Sequence, residues 1–199
     1  MASIYDKLKT AIKQLPAGSV FTITDFEHLA SNKTLSKFFE RLCDSDFIRK
    51  LARGVFWIPS SQESPEPVKV AYAIARANDW KIAPCGESAK YVYGASEKAP
   101  SEWTFVTNGT YRSYSIGNIL IRFTHTTGKM LASLSDKSAL LVQVIKAYGR
   151  NHLPEWMQNI WHRYTKSERK NIITETKNVT SWISEEIIRF LGAEQADKK

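Results

Sequence analysis

The sequence predicts an α+β protein with two parts. The first has the order helix, break, helix, basic hairpin; the second is a mixed domain closed by a helical tail. Three observations carry this. Leu35, Phe38, Phe39 and Leu42 recur at i, i+3, i+4 and i+7, which gives one apolar helix face. Two short apolar runs flank the Arg53-Gly54 turn, ending at Pro59. Beyond residue 100, three strand-like runs are separated by Asn108-Gly109 and Gly117-Asn118, dipeptides that tolerate positive φ and mark hairpin turns. The order of the first part is that of a winged helix-turn-helix, whose second helix normally enters a major groove.

Taken in chain order, Ile4, Leu8, Ile12 and Leu15 predict an opening helix ended by Pro16–Gly18. Thr24 with Glu27 fits a capping box for a short helix over Asp25–Ala30. Ser31 and Asn32 break it, and a longer helix follows over Lys33–Leu42. Its exposed faces then carry Lys33, Thr34, Lys37 and Arg41, small polar and basic side chains suited to base edges and phosphates. Arg49, Lys50 and Arg53 gather at the hairpin and would serve as the wing.

The Ser-, Glu- and Pro-rich stretch 60–67 has the composition of an extended linker. It separates an expected winged-helix domain, 1–59, from an α+β domain, 68–199. The second domain is expected to open with a helix over Val68–Asn78, a strand over Lys81–Pro84 and a helix over Glu87–Tyr93 stopped by Gly94. A three-stranded antiparallel meander follows, over Trp103–Thr107, Tyr111–Ile116 and Ile119–His125. Four more helices are expected over Ser138–Tyr148, Pro154–Tyr164, Glu168–Val179 and Trp182–Leu191, before a polar tail, Ala193–Lys199.

The chain has 199 residues and a formal net charge of +8. Residues 1–67 carry nine Lys/Arg against eight Asp/Glu, and residues 68–199 carry nineteen against twelve. The expected DNA reader is therefore nearly neutral, with local basic clusters, while the remainder is diffusely basic. A basic balance favours polyanionic partners. The two cysteines, Cys43 and Cys85, are too far apart in sequence to form a metal clip. No apolar run reaches the roughly 18 residues of a membrane span, and the N-terminus lacks the pattern of a secretory leader. Together these features predict a cytoplasmic protein.

His28, His125, His152 and His162 are scattered without metal-ligand spacing. The strand Ile119–Phe123 carries no carboxylate for a metal-dependent nuclease, and phosphate-loop, dinucleotide and nucleophile-elbow motifs are missing from the sequence. No enzyme activity, cofactor or metal is expected. Trp80, Trp103, Trp156, Trp161 and Trp182 read either as stacking platforms for single strands or as packing residues. Arg163, Lys166, Arg169, Lys170 and Lys177 form a cationic stretch without an assigned partner.

The run Phe38–Pro59, with Arg53-Gly54-Val55-Phe56-Trp57 leading to a proline, resembles the wing of AbiEi-like antitoxins, an abortive-infection family of type IV toxin–antitoxin systems. Ile82–Ser96 is similar to that family's glycine-glutamate-x-alanine helix and the turn after it. Tyr93-Gly94-Ala95-Ser96 departs from the leucine-glycine-leucine-serine more usual there. Phe105–Arg112 and Ile121–Thr126 resemble its threonine-x-glycine hairpin and closing basic-phenylalanine-x-histidine strand. The resemblance spans roughly residues 4–150. It implies a winged helix that represses its own promoter by binding double-stranded DNA at inverted repeats. It also implies a second domain that counteracts a nucleotidyltransferase-like toxin, without requiring a stable complex. The competing expectation is a non-catalytic interaction module whose winged helix docks a protein.

Overall fold

The computed structural model describes residues 3–61, 64–126 and 131–192. Its described residues form α-helices, 3-10 segments and two sheets. Contacts divide the chain into two compact units, residues 1–81 with 113–121 and residues 82–112 with 122–199. The linker-like stretch 60–67 thus lies inside the first unit, and the helix after it belongs there as well. Pro65, within that stretch, is buried.

The first unit opens with α1 (Ile4–Lys13), started by a Ser3–Asp6 capping box and anchored by buried Leu8 and Ile12. Strand β1 (Val20–Thr22) leads into a 3-10 turn, Thr24–Phe26. The helix expected over Asp25–Ala30 is reduced to that single turn. The Asp25 carboxylate accepts the Thr22 backbone N–H at 2.8 Å, and the Thr24 hydroxyl meets that of Thr22 at 2.7 Å. Both groups are directed back to β1, so the expected Thr24–Glu27 capping box does not form.

Helix α2 (Asn32–Asp44) begins one residue before its expected start, because Ser31 caps it instead of breaking the chain. Leu35, Phe38 and Phe39 are buried on its inner face. The β2 (Arg49–Ala52) and β3 (Val55–Trp57) hairpin follows, and the sheet order is β1-β3-β2. Phe39 meets Phe56 at 5.0 Å and Phe21 at 5.6 Å, so α2 is pressed onto one sheet face through aromatic rings. Helix α3 (Pro67–Ala77) packs against β1 and β3. Arg76 at its end reaches the Asp25 carboxylate at 3.3 Å.

In the second unit, β4 (Ile82–Pro84) precedes α4 (Gly86–Tyr93), which Gly94 ends at φ 77°. The four-stranded sheet has the order β4-β5-β7-β6, with β5 (Trp103–Thr107), β6 (Arg112–Ile116) and β7 (Ile119–His125); residues 113–121, most of β6 and the start of β7, are the part of it that groups with the first unit. The expected meander is therefore corrected, since β7 lies between β5 and β6. Two features account for it. Gly109 has no positive φ, its N–H bonds to Thr107 Oγ1 at 2.9 Å, and its carbonyl meets His125 Nδ1 at 2.8 Å, so this turn closes onto β7. Ile119, Ile121 and Phe123 bury alternate positions of β7, whereas β6 is polar and largely exposed, as suits an edge. Gly117, at φ 56°, does form the β6–β7 turn.

Helix α5 (Asp136–Tyr148) is capped by Ser135 and stopped at Gly149. The expected helix over Pro154–Tyr164 is a 3-10 segment, Glu155–Arg163, anchored by buried Met157 and Ile160. Helix α6 (Lys166–Glu175) opens with a Thr165–Glu168 capping box, and a 3-10 turn, Thr176–Asn178, separates it from α7 (Ser181–Gly192). The tail from Ala193 lies outside the described residues. Glu175 accepts from the backbone N–H and the hydroxyl of Ser135 at 2.8 and 2.7 Å, tying the end of α6 to the start of α5.

Candidate nucleic-acid interface

Helix α2 sets the site. Its apolar residues fix which side meets the core, so Lys33 and Lys37, four residues apart, share the opposite, exposed side. Ser31 accepts the Thr34 backbone N–H at 3.4 Å, and the two hydroxyls lie 3.0 Å apart. Thr34 thus belongs to the cap of the helix. Arg41 leans toward α1, its guanidinium 5.2 Å from the Tyr5 ring centre. Glu40 and Asp44 are exposed on the C-terminal half of α2. The basic end of this helix is therefore its N-terminal half.

The hairpin supplies a second set of cations. Arg49 pairs with Trp57 and Lys50 with Phe56 in the register. Successive strand residues point to opposite faces. Phe56 belongs to the core built with α1 and α2, so Lys50 shares that face and Arg49 lies on the other. The Arg49 guanidinium sits 5.7 Å from the Trp57 ring. The register shifts between Lys50 and Ala52, a bulge that precedes the exposed Arg53 at the turn. Gly54 takes φ 73°, and its carbonyl accepts from Ile23 N–H at 3.1 Å.

Cys43, on α2, lies beside Lys50. Burial pushes its thiol up, opposed by the Lys50 charge and a backbone hydrogen bond with Lys50. That contact places β2 against the C-terminal half of α2. Lys33, Lys37, Lys50 and Arg53 are thus exposed cations on elements locked together by one aromatic core. Arg41, Arg49 and Thr34 are each engaged in an intramolecular contact. Tyr5 falls on the same stripe as Leu8 and Ile12, at i, i+3 and i+7, but that spacing does not reveal its pairing with Arg41, which lies thirty-six residues on in another helix.

Residues 7–173 match a family of unknown function, DUF6088. The chain belongs to this DUF6088 family. The match runs from α1 into α6 and includes Lys33, Lys37, Arg41, Arg49, Lys50 and Arg53. The crystal structure of the RV2827C protein from Mycobacterium tuberculosis is similar at TM-score 0.43 and 10% identity, over 97% of this chain and 78% of that one. Comparison with curated proteins returns no match. Among the described residues, no group of three or more His, Cys, Asp or Glu is arranged to hold a metal ion. No helix among them is long and apolar enough to cross a membrane.

Proposed function

We propose that this DUF6088 chain is a DNA-binding regulator whose first unit works as a winged helix. One observation carries the reading. The three-stranded sheet of order β1-β3-β2 holds α2, through Phe39 and Phe56, beside a hairpin that ends in Arg53. Lys33 and Lys37 at the N-terminal half of α2 are the groove-facing contacts, as in other recognition helices. Lys50 and Arg53 rest on phosphates. Thr34 and Arg41 position the helix through Ser31 and Tyr5, and Arg49 supports the hairpin from its opposite face.

The same reading makes the protein a promoter-binding autorepressor and antitoxin of the AbiEi-like type, acting in the cytoplasm against a nucleotidyltransferase-like toxin. The motifs at Arg53–Trp57, Gly86–Ala89 and Arg122–His125 support it. A gel-shift titration of the protein's own promoter over several salt concentrations tests the DNA reading. Binding that weakens steeply with salt supports it, because each phosphate contact releases counterions. Absent or salt-insensitive binding rejects it. Rescue of cells expressing a nucleotidyltransferase-like toxin tests the antitoxin role separately.

A rival reading, a protein-docking module, draws on Glu40 and Asp44, whose carboxylates on the exposed side of α2 would repel a duplex. Charge reversal at Lys37 and Arg53 distinguishes the two. Lost promoter repression supports the regulator; intact repression with lost partner neutralisation supports the module.

A further inference from the structure

The second unit carries a cationic aromatic cluster that the regulator reading does not use. Tyr93 and Trp156 stack at 6.0 Å between ring centres, and the Arg163 guanidinium covers both, at 5.0 and 5.6 Å. Arg163 also donates to the Tyr93 carbonyl at 3.0 Å, and the Tyr164 hydroxyl donates to that of Tyr93 at 3.1 Å. Tyr148 stands edge-on to Trp156, with the Lys90 ammonium 4.7 Å from its ring centre. The next plane comes from the neighbouring residue. His162 stacks on Trp161 at 3.5 Å and an interplanar angle of 27°.

His162 and Arg163 are both exposed. Consecutive residues therefore present two flat groups, an imidazole and a guanidinium, each backed by an indole. A backed plane has already lost its rotamer freedom, so stacking a base on it costs little further ordering. Splayed bases stack on imidazole and guanidinium planes, and such contacts tolerate any sequence because every base has a π-face. The surrounding stretch 150–170 carries five Lys/Arg against two Asp/Glu, with Lys166 and Lys170 exposed nearby in sequence to follow a phosphate backbone. A duplex offers no splayed base to these planes.

We infer that the Glu155–Arg163 segment is a binding platform for single-stranded nucleic acid, with bases stacked on His162 and Arg163. The test uses the full chain and fluorescence anisotropy with a short single-stranded RNA, its DNA counterpart and a duplex of equal length. H162A and R163K should each weaken single-strand binding by about fivefold or more, although R163K keeps the charge. Duplex binding should be unchanged in both, and K37A should show the converse pattern. H162A removes only an exposed ring, so it remains informative if R163K unfolds by losing its bond to Tyr93. Absent single-strand binding overturns the inference, as does equal affinity in wild type and H162A, which marks a purely polyelectrolyte contact. Displacement of the strand by an acidic peptide at equal concentration would overturn it in favour of a protein partner.

Discussion

The Gly54 carbonyl accepts the Ile23 backbone N–H at 3.1 Å, which fastens the tip of the β2–β3 hairpin to the segment that leads into α2. Arg53 is thereby held relative to Lys33 and Lys37 by main-chain bonding and by the shared Phe21, Phe39 and Phe56 core. The turn depends on φ 73° at Gly54, a region that costs a residue with Cβ roughly 1–2 kcal/mol. G54A should lower stability to chemical denaturation by about that amount, and G54N by less, since asparagine tolerates the left-handed region. Space is not the obstacle, because an added Cβ would meet only Ile23 Cδ1, at 4.0 Å. Equal losses for both variants would refute the conformational explanation.

The alternation of β2 separates two adjacent cations. Lys50 shares the face of Phe56, whereas Arg49 covers Trp57 on the other. K50A should reduce promoter affinity and flatten the salt dependence by about one unit. R49A should leave duplex affinity nearly unchanged but cost about 0.5–1 kcal/mol of stability, the usual worth of an exposed cation–π contact. Salt-series binding and urea denaturation on both variants check this. A larger affinity loss in R49A than in K50A would place Arg49 on the duplex after all.

Much of the first unit was legible because one-dimensional pattern decides it. The stripe of Leu35, Phe38, Phe39 and Leu42 located α2, and Arg53-Gly54 located the hairpin turn. What escaped depended on partners distant in sequence. Asn108-Gly109 announced a turn but not where it would close, which was decided by His125, sixteen residues on. Thr24 and Glu27 had the spacing of a capping box, yet the neighbouring Asp25 was drawn to Thr22 and Arg76. Periodicity could not join Arg163 to Tyr93, seventy residues apart. At the candidate interface the basic residues were legible as a set. Which of them are engaged in intramolecular contacts was not, because that rests on Tyr5, Ser31 and Trp57.

Ser31 sets both the start of α2 and the state of Thr34. S31A should destabilise the protein by about 1 kcal/mol, the typical worth of an N-cap. S31D should retain most of the stability, because a carboxylate also accepts from the first helical turn and favours the positive end of the helix dipole. Thermal melts of both variants test this, and amide exchange at Thr34 should accelerate only in S31A. No change in that exchange would show that another group supports the helix start.

The contact between α5 and α6 carries a defined pH dependence. Lys137, together with the backbone N–H and hydroxyl of Thr165, holds the Glu168 carboxyl down to about 2, against an ordinary value of 4.5. A carboxyl whose folded value is depressed adds stability that is fully present above the ordinary value and is lost as pH falls through the folded one. The Glu168 contribution should therefore be complete above about pH 5 and should decline from there toward pH 2. E168Q should melt lower than wild type at neutral pH, and the difference should shrink across that window. Asp6, lowered chiefly by its bond from Ser3, titrates in the same direction in both proteins, so the comparison cancels it. High salt should reduce the neutral-pH difference, because Glu168 and Lys137 are only partly shielded from solvent. A wild-type-to-E168Q gap that stays constant from pH 6 to about pH 2 would show that the amide perturbs packing and that the Lys137 contact contributes no linkage.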